Sequence, residues 1–425
     1  MSLLFEPTHL ETIARLRQAR EQSFSGLIED IKAAAPRPET LNREGTKRQH
    51  YYEGKQDTYF RGFLAEIYPE GMLQKSIHPV SLNYVKTLAS ISADVYRLPP
   101  ERKVKDGSDA ANKELQRLVK LAGLPRVMPE MERRKEVART KFARVFDDPL
   151  SKRLRTDMFW PRDVWIVPHP AAPDSTRHAQ ILLARLDDRD KRFELWTRLD
   201  DGRLQAERLE FVGDKEVRVT PLLEQGFVWP GTRLPWFAYH AGIPSGCPYL
   251  DDDADLLDTA DNINAFWTEL FHVIRFQGHT PLVYAGTNTG PISGGPAAVM
   301  KVMPGESVTP VTVSPQITAI LEATKQHTRA EAVTRRQPPS AFSTERETNV
   351  SGTSRRVENA TAEDARRERV QDAKELEESD VLPIVVEVAR LFKRGGDALP
   401  LDAEYEFRAQ DLPDFEDPNE LTART

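Results

Sequence analysis

Only one cysteine, Cys247, stands in this sequence. No intrachain disulfide framework and no multi-cysteine zinc site can form, and a reducing compartment is expected. Long apolar runs are missing as well. None approaches the ~20 residues that span a bilayer, and the nearest, "VLPIVVEVARLF" (381–392), is short and interrupted. The opening residues, "MSLLFEPTHLETIARLRQAR", carry charges where a secretory signal needs an apolar core. A soluble, unexported protein with no membrane partner is the expectation.

Catalytic signatures are equally scarce. Nothing matches the phosphate-binding G-x-x-x-x-G-K-[ST], since "EGKQ" around Gly54 lacks both the leading glycine and the hydroxyl. "GIPSGC" and "GPISGG" have the wrong spacing for a nucleophile elbow. His272, His279 and His327 are scattered, with no zinc-site spacing. The acidic run "DDDADLLDTAD" (251–261) lacks the central glycine and closing Glu of a calcium loop. As a helix start it places Asp251 to Asp255 where the helix dipole favours negative charge. The expectation is therefore no enzyme, no cofactor and no metal. A metal-dependent nucleic-acid-processing enzyme using this run is the alternative from another class.

An excess of positive charge is also absent. Lys and Arg number 59 against 66 Asp and Glu, a formal net charge of −7. A protein that grips duplex DNA lowers its free energy by neutralising phosphates, so general duplex binding is disfavoured. A protein past which DNA slides is not.

What is there fits two or three packing units, given 425 residues. At 39% hydrophobic and 29% charged, the chain has more polar helix than an isolated globule needs, as a subunit among copies of itself or an elongated molecule would. Residues 1–35 read as an amphipathic helix. In "PVSLNYVKTLASISADVYRLPP" (79–100), Tyr84, Leu88, Ile91 and Val95 recur at helical spacing until Pro99-Pro100 stops the helix, and a charged helical stretch is expected to follow through Arg144. From 158 to 240 short runs such as "AQILLARLD" and "KRFELWTRL" predict a meandering antiparallel β unit. Leu256, Ala260, Ile263, Trp267, Leu270 and Ile274 then mark one face of a strong helix that stops at Gly278. A small unit with strand-like ends spans 280–313, a helix spans 314–336, and a long helix continues to about Phe392. The tail, "LDAEYEFRAQDLPDFEDPNE", offers one strand and an acidic end.

Between the last two helices lies "RRQPPSAFSTERETNVSGTSRR" (335–356). Pro338 and Pro339 are expected to end the first helix, and Ser351 or Thr353 to cap the second. A connection of this length is either functional or disordered. Before it, Lys325, Arg329 and Arg336 stand at i, i+4 and i+11. They either border a polyanion or belong to a helix on which Glu322 and Glu331 pair locally with Lys325 and Arg335. In the loop, Phe342 either tucks onto a helix or touches something passing by.

The order of the pieces resembles the portal proteins of tailed bacteriophages, of the siphophage type. "YYEGKQDTY" (51–59) resembles that family's aromatic-Gly-Gln entry motif, and "NYVKTLASISADVYRLPP" (83–100) the helix that follows it. "LPWFAYHAG" (234–242) through "PLVYAG" (281–286), with the Asp-x-x-Asn of "DNIN", is similar to its strand, acid-started helix and strand. "MPGESVTPVTV" (303–313) and "SGTSRR" (351–356) match later segments, so the likeness covers roughly residues 46–410.

The resemblance implies an α+β portal-type protomer in a ring, usually of twelve, at a capsid vertex. After an N-terminal segment 1–45, residues 46–250 would be a wing and 251–279 a stem helix. Residues 280–313 would be a clip, 314–336 a second stem helix, 337–352 a tunnel loop, and 353–395 a long helix and crown, with 396–425 the closing strand and acidic tail. It implies that Pro338, Pro339, Phe342 and Arg346, with Lys325, Arg329 and Arg336, line a channel for double-stranded DNA. The implied partners are a terminase motor, a head–tail adaptor, and the major capsid and scaffold proteins. The implied location is the virion after assembly in the host cytoplasm. Another head–tail connector component, such as an adaptor ring, is the nearer alternative, although adaptors are generally much shorter.

Overall fold

The computed structural model describes residues 24–68, 78–148, 153–187, 191–212, 216–223, 226, 228–231, 233–251, 255–278, 282–285, 307–310, 317–337 and 352–411. The expectations for residues 1–23, for the middle of 280–313 and for the loop beyond Gln337 lie outside them. The helices are α1 (Phe24–Ala34), α2 (Glu39–Glu53), α3 (Asp57–Ile67), α4 (Tyr84–Ser92), α5 (Asp109–Leu121), α6 (Leu124–Ala138), α7 (Asp255–Gly278), α8 (Ile317–Thr334), α9 (Gly352–Leu376) and α10 (Leu382–Leu391). The strands are β1 (Glu101–Val104), β2 (Thr140–Asp148), β3 (Arg153–Phe159), β4 (Val164–Val167), β5 (Ile181–Arg185), β6 (Arg192–Arg198), β7 (Leu204–Val212), β8 (Glu216–Pro221), β9 (Val228–Trp229), β10 (Trp236–His240), β11 (Leu282–Ala285), β12 (Ser307–Pro310) and β13 (Tyr405–Arg408). The fold is of mixed α and β type. It divides into one compact unit of residues 1–52, 88–253 and 363–425, and a second of 53–87 and 254–362. Residues 53–87, expected within 46–250, group instead with the later helices.

In the first unit, β4 to β8 form an antiparallel meander in sequence order, with β9 added to β7. β5 reads Ile181-Leu182-Leu183-Ala184 without alternation because both faces are covered. Ile181 and Leu183 join Leu27, Ile28 and Ile31 of α1, while Leu182 and Ala184 enter the main core. A second antiparallel sheet runs β10-β2-β3. The expected β unit is thus two sheets, and it begins well before residue 158.

The helix expected through Arg144 ends at Ala138 instead. Arg139 turns the chain at φ 62° and β2 starts at Thr140. Two charges disguise this strand in the sequence. The Lys141 ammonium lies 4.1 Å from the centre of the Trp160 ring. Arg144 bonds Asp157 on β3 at 2.8 Å and also Glu194 on β6, whose other oxygen takes the Trp196 indole N–H at 2.7 Å. Arg144 is compensated by two carboxylates within the core, the condition for burying it, and the Lys141 charge rests on an aromatic face.

The short apolar run of 381–392 is a central core helix, with Leu382, Ile384, Val385, Val386, Val388 and Ala389 of α10 all buried. No helix among the described residues is long and apolar enough to cross a membrane. The long helix expected to Phe392 is interrupted by a single π turn, Glu377–Val381. Pro383 has no N–H to give, and the Ser379 carbonyl four residues back takes the Arg233 guanidinium at 2.8 Å instead. In the same turn Glu377, fully buried, accepts from Arg102 at 3.0 and 2.5 Å and from the Tyr96 hydroxyl at 3.0 Å. The expected tail strand, β13, pairs antiparallel with β1, Glu101 opposite Arg408.

α4 carries its buried face on Val85, Leu88, Ala89 and Ser92. Tyr84 and Ile91 are only half-buried, and Val95 lies past the helix end. In the second unit α7 and α8 pack side by side, and β11 pairs antiparallel with β12, Leu282 opposite Pro310.

Candidate functional site

The region singled out by the sequence is α8 with the turn that ends it. Of the apolar residues of α8 only Ala332 is buried, and polar and ring contacts tie the helix to α7. Thr259 of α7 donates to Glu331 of α8 at 3.2 Å, and the Phe266 and His327 rings lie 5.2 Å apart. Rising numbers on one helix meet falling numbers on the other, so the two are antiparallel. Thr324, Thr328 and Thr334 turn their hydroxyls back onto the carbonyls of Ile320, Thr324 and Ala330 at 2.8, 2.9 and 3.1 Å. This back-bonding keeps hydroxyls satisfied on a helix and favours a slight bend.

Local pairing is realised on one side of α8. Glu331, buried, takes the Arg335 guanidinium at 2.5 Å, so Arg335 is neutralised at the helix end. Lys325 and Arg329 are exposed, one turn apart on the same face. Arg336 is exposed too, but the helix ends at Thr334 and Arg336 stands at φ 52°, so the i+11 phase no longer applies to it.

That helix end is not the work of the prolines. The Arg336 N–H donates to Val333 O at 2.9 Å and the Gln337 N–H to Ala332 O at 2.8 Å. These are the two bonds of a Schellman turn, normally closed by glycine in the left-handed position. Gln337 and Ala332, the residues joined by the second of these bonds, are both buried. Pro338 and Pro339 therefore follow a helix already terminated. They, Phe342 and Arg346 lie outside the described residues.

The other faces of α7 hold what the sequence showed only in part. Leu256, Ala260, Ile263 and Leu270 are buried as expected, but Trp267 is half-buried and Ile274 is exposed. A helical period marks a face, and it does not say how much of that face is covered. The Trp267 indole donates to the Tyr84 hydroxyl at 2.9 Å. Asn264, from the "DNIN" motif, and Thr268 receive the extended segment before α4, accepting the Leu82 and Val80 N–H groups, each at 2.9 Å. Ala265 meets Phe60 and Leu64 of α3. Tyr68 donates to Glu269 at 3.2 Å, and burial first, then that carboxylate, pushes its hydroxyl up to about 12.

Of the acidic run, Asp251 accepts the Thr40 hydroxyl at 2.6 Å and Asp261 is buried. Among the described residues no three His, Cys, Asp or Glu side chains converge where they could hold a metal.

No protein-family model matches this chain, and no curated protein does. Among solved structures it is similar to one described as "Neck of empty GTA particle computed with C6 symmetry", at 13% identity and a TM-score of 0.39. That likeness covers 92% of this chain and 89% of the other.

Proposed function

We propose that this chain is a portal-type subunit that assembles as a ring at a capsid vertex. It provides a passive channel for DNA and a platform for a packaging motor and head–tail adaptors, and it is not an enzyme. The observation that carries the reading is the arrangement of the second unit. α7, about 36 Å long at 1.5 Å per residue, lies antiparallel to α8, and a two-stranded ladder is formed by the segments between them. That is the order of two upright rods with a small closing unit implied by the sequence resemblance. The two segments carrying its motifs, 83–100 and 234–286, also meet in space through Trp267 and Tyr84.

The mild negative charge suits such a channel, because a subunit without an excess of cations does not hold duplex DNA tightly, which favours sliding over sticking. Lys325, Arg329 and Arg336, with the loop from Pro338, would face the DNA. The test is mass photometry and negative-stain imaging of the purified full chain. An annulus with a central hole is expected; a monomer under all conditions overturns the proposal.

A further inference from the structure

The first unit holds a cleft of about 840 Å³ whose lining includes Pro99, Pro100, Pro125, Pro129 and Val119. This is within the volume range of ligand-binding clefts. Four prolines offer no N–H donors, so this part of the lining presents apolar rings and only carbonyl acceptors from the backbone. The rim is cationic: Arg97, Lys120 and Arg408 line it and are exposed. None of the three has a salt bridge among the described residues, unlike Arg102 beneath them, which is held by Glu377 at 2.5 Å. Of the two acids at the rim, Glu101 is engaged by Lys103 at 2.7 Å and lies opposite Arg408 in the β1–β13 ladder, leaving Asp411. An occupant must therefore be anionic and extended, with an apolar side chain or two.

The complementary chemistry stands in the sequence directly after the cleft. Residues 412–425, outside the described residues, read "LPDFEDPNELTART", with Asp414, Glu416, Asp417 and Glu420 against the single cation Arg424. Phe415 and Pro418 are interleaved with the acids. The chain enters this segment from Asp411, itself part of the rim. Tethering of this kind gives a local concentration in the millimolar range, enough for a weak electrostatic site to fill. We propose that the cleft between β1, α5, α6 and the end of β13 is a docking site for the chain's own acidic C-terminal segment, with Asp414 to Asp417 against Arg97, Lys120 and Arg408. The inference does not depend on ring formation.

The test uses the full chain, mixed from light and isotopically heavy copies. A carbodiimide joins a carboxylate to an amine as an amide, its own hydration to a urea taking up the water. Links from Lys120 to Asp414, Glu416, Asp417 or Glu420 are expected, light with light and heavy with heavy. Their yield should fall at least about fivefold in 1 M salt and in an Arg97→Glu/Arg408→Glu variant. Absence of the links, a yield indifferent to salt and to both substitutions, or links joining light to heavy copies would overturn it. The last outcome would make a neighbouring copy the occupant. Should the double variant not fold, Lys120 acetylation decides between the same alternatives. It should run at least about threefold faster in the D414N/E416Q/D417N/E420Q chain than in the parent, and an equal rate overturns the proposal.

Discussion

Asn264 holds Leu82 by both polar groups of its backbone. The side-chain oxygen accepts the Leu82 N–H at 2.9 Å, and the side-chain nitrogen donates to the Leu82 carbonyl at 3.1 Å. A buried amide on α7 thus imitates a β-bridge and fixes the extended segment in front of α4. Asn264→Ala leaves two backbone groups without these partners and should cost about 2 kcal/mol. Thermal melting would show the loss, and hydrogen exchange at the Leu82 amide should accelerate. Unchanged exchange would mean that the clasp does not hold in solution.

Trp267 should matter less than its place in the helical period suggests. Because the indole is half-buried, Trp267→Ala is expected to cost about 1–2 kcal/mol, short of the ~3–5 of a fully buried aromatic. Trp267→Phe, which removes chiefly the bond to Tyr84, should cost about 1 kcal/mol or less. Chemical denaturation of the three proteins measures both steps.

Arg336 sits in a left-handed conformation that disfavours any residue with a Cβ. Arg336→Gly should leave stability unchanged or raise it by up to about 1 kcal/mol. If the side chain faces passing DNA, the same variant should package or retain less DNA while rings still assemble. A clear loss of thermal stability would show instead that the guanidinium is a structural contact.

Deletion of 338–350 tests the loop directly. Rings are expected to form with packaging or retention impaired, since α8 is already closed by its own Schellman turn at Gln337. Loss of assembly would assign the loop a structural part.

Glu132 gives the first unit a pH-dependent contribution. Burial pushes its carboxyl up to about 7, against the lowering pull of Lys135 and of the Val95 and Tyr96 N–H groups it accepts at 2.9 and 3.2 Å. The folded value lies above the unfolded one of 4.5, so the native state holds the proton more tightly. The stability so gained is present below pH 4.5 and is lost as pH rises to about 7, at no more than about 1.4 kcal/mol per pH unit. Denaturation at pH 5 and pH 7.5 should show a larger drop for the parent than for Glu132→Gln. Equal drops would place the titration elsewhere.

Removing one partner of the Arg102–Glu377 pair should be among the most damaging changes in the first unit. Glu377→Ala is expected to cost about 3–5 kcal/mol because a guanidinium is left buried and uncompensated. An Arg102→Met/Glu377→Leu double variant should recover the part of that loss due to the unpaired charge, the Tyr96 hydroxyl still lacking its acceptor. Failure of the double variant to recover would mean that the pair's geometry, not charge balance, supports the π turn.

Elements whose signal is local were legible in the chain before it folded. The acid-started α7 with its stop at Gly278 and the strands after residue 158 follow from side-chain periodicity, because period alone decides which face can be buried. The helix before the loop was visible for the same reason, but the way it ends was not. Its Schellman turn uses Arg336 where glycine is the usual sign, and the prolines drew attention two residues too late.

Only the tertiary structure decided how charged residues are spent. Lys141 and Arg144 hid β2 within an expected charged helix until Trp160, Asp157 and Glu194 came within reach. β1 finds β13 across some three hundred residues, and no local pattern records such a pairing. The exposure of Trp267 and Ile274 likewise depends on what covers the face. Periodicity is a property of one segment, whereas compensation of a buried charge and coverage of an apolar face are properties of two.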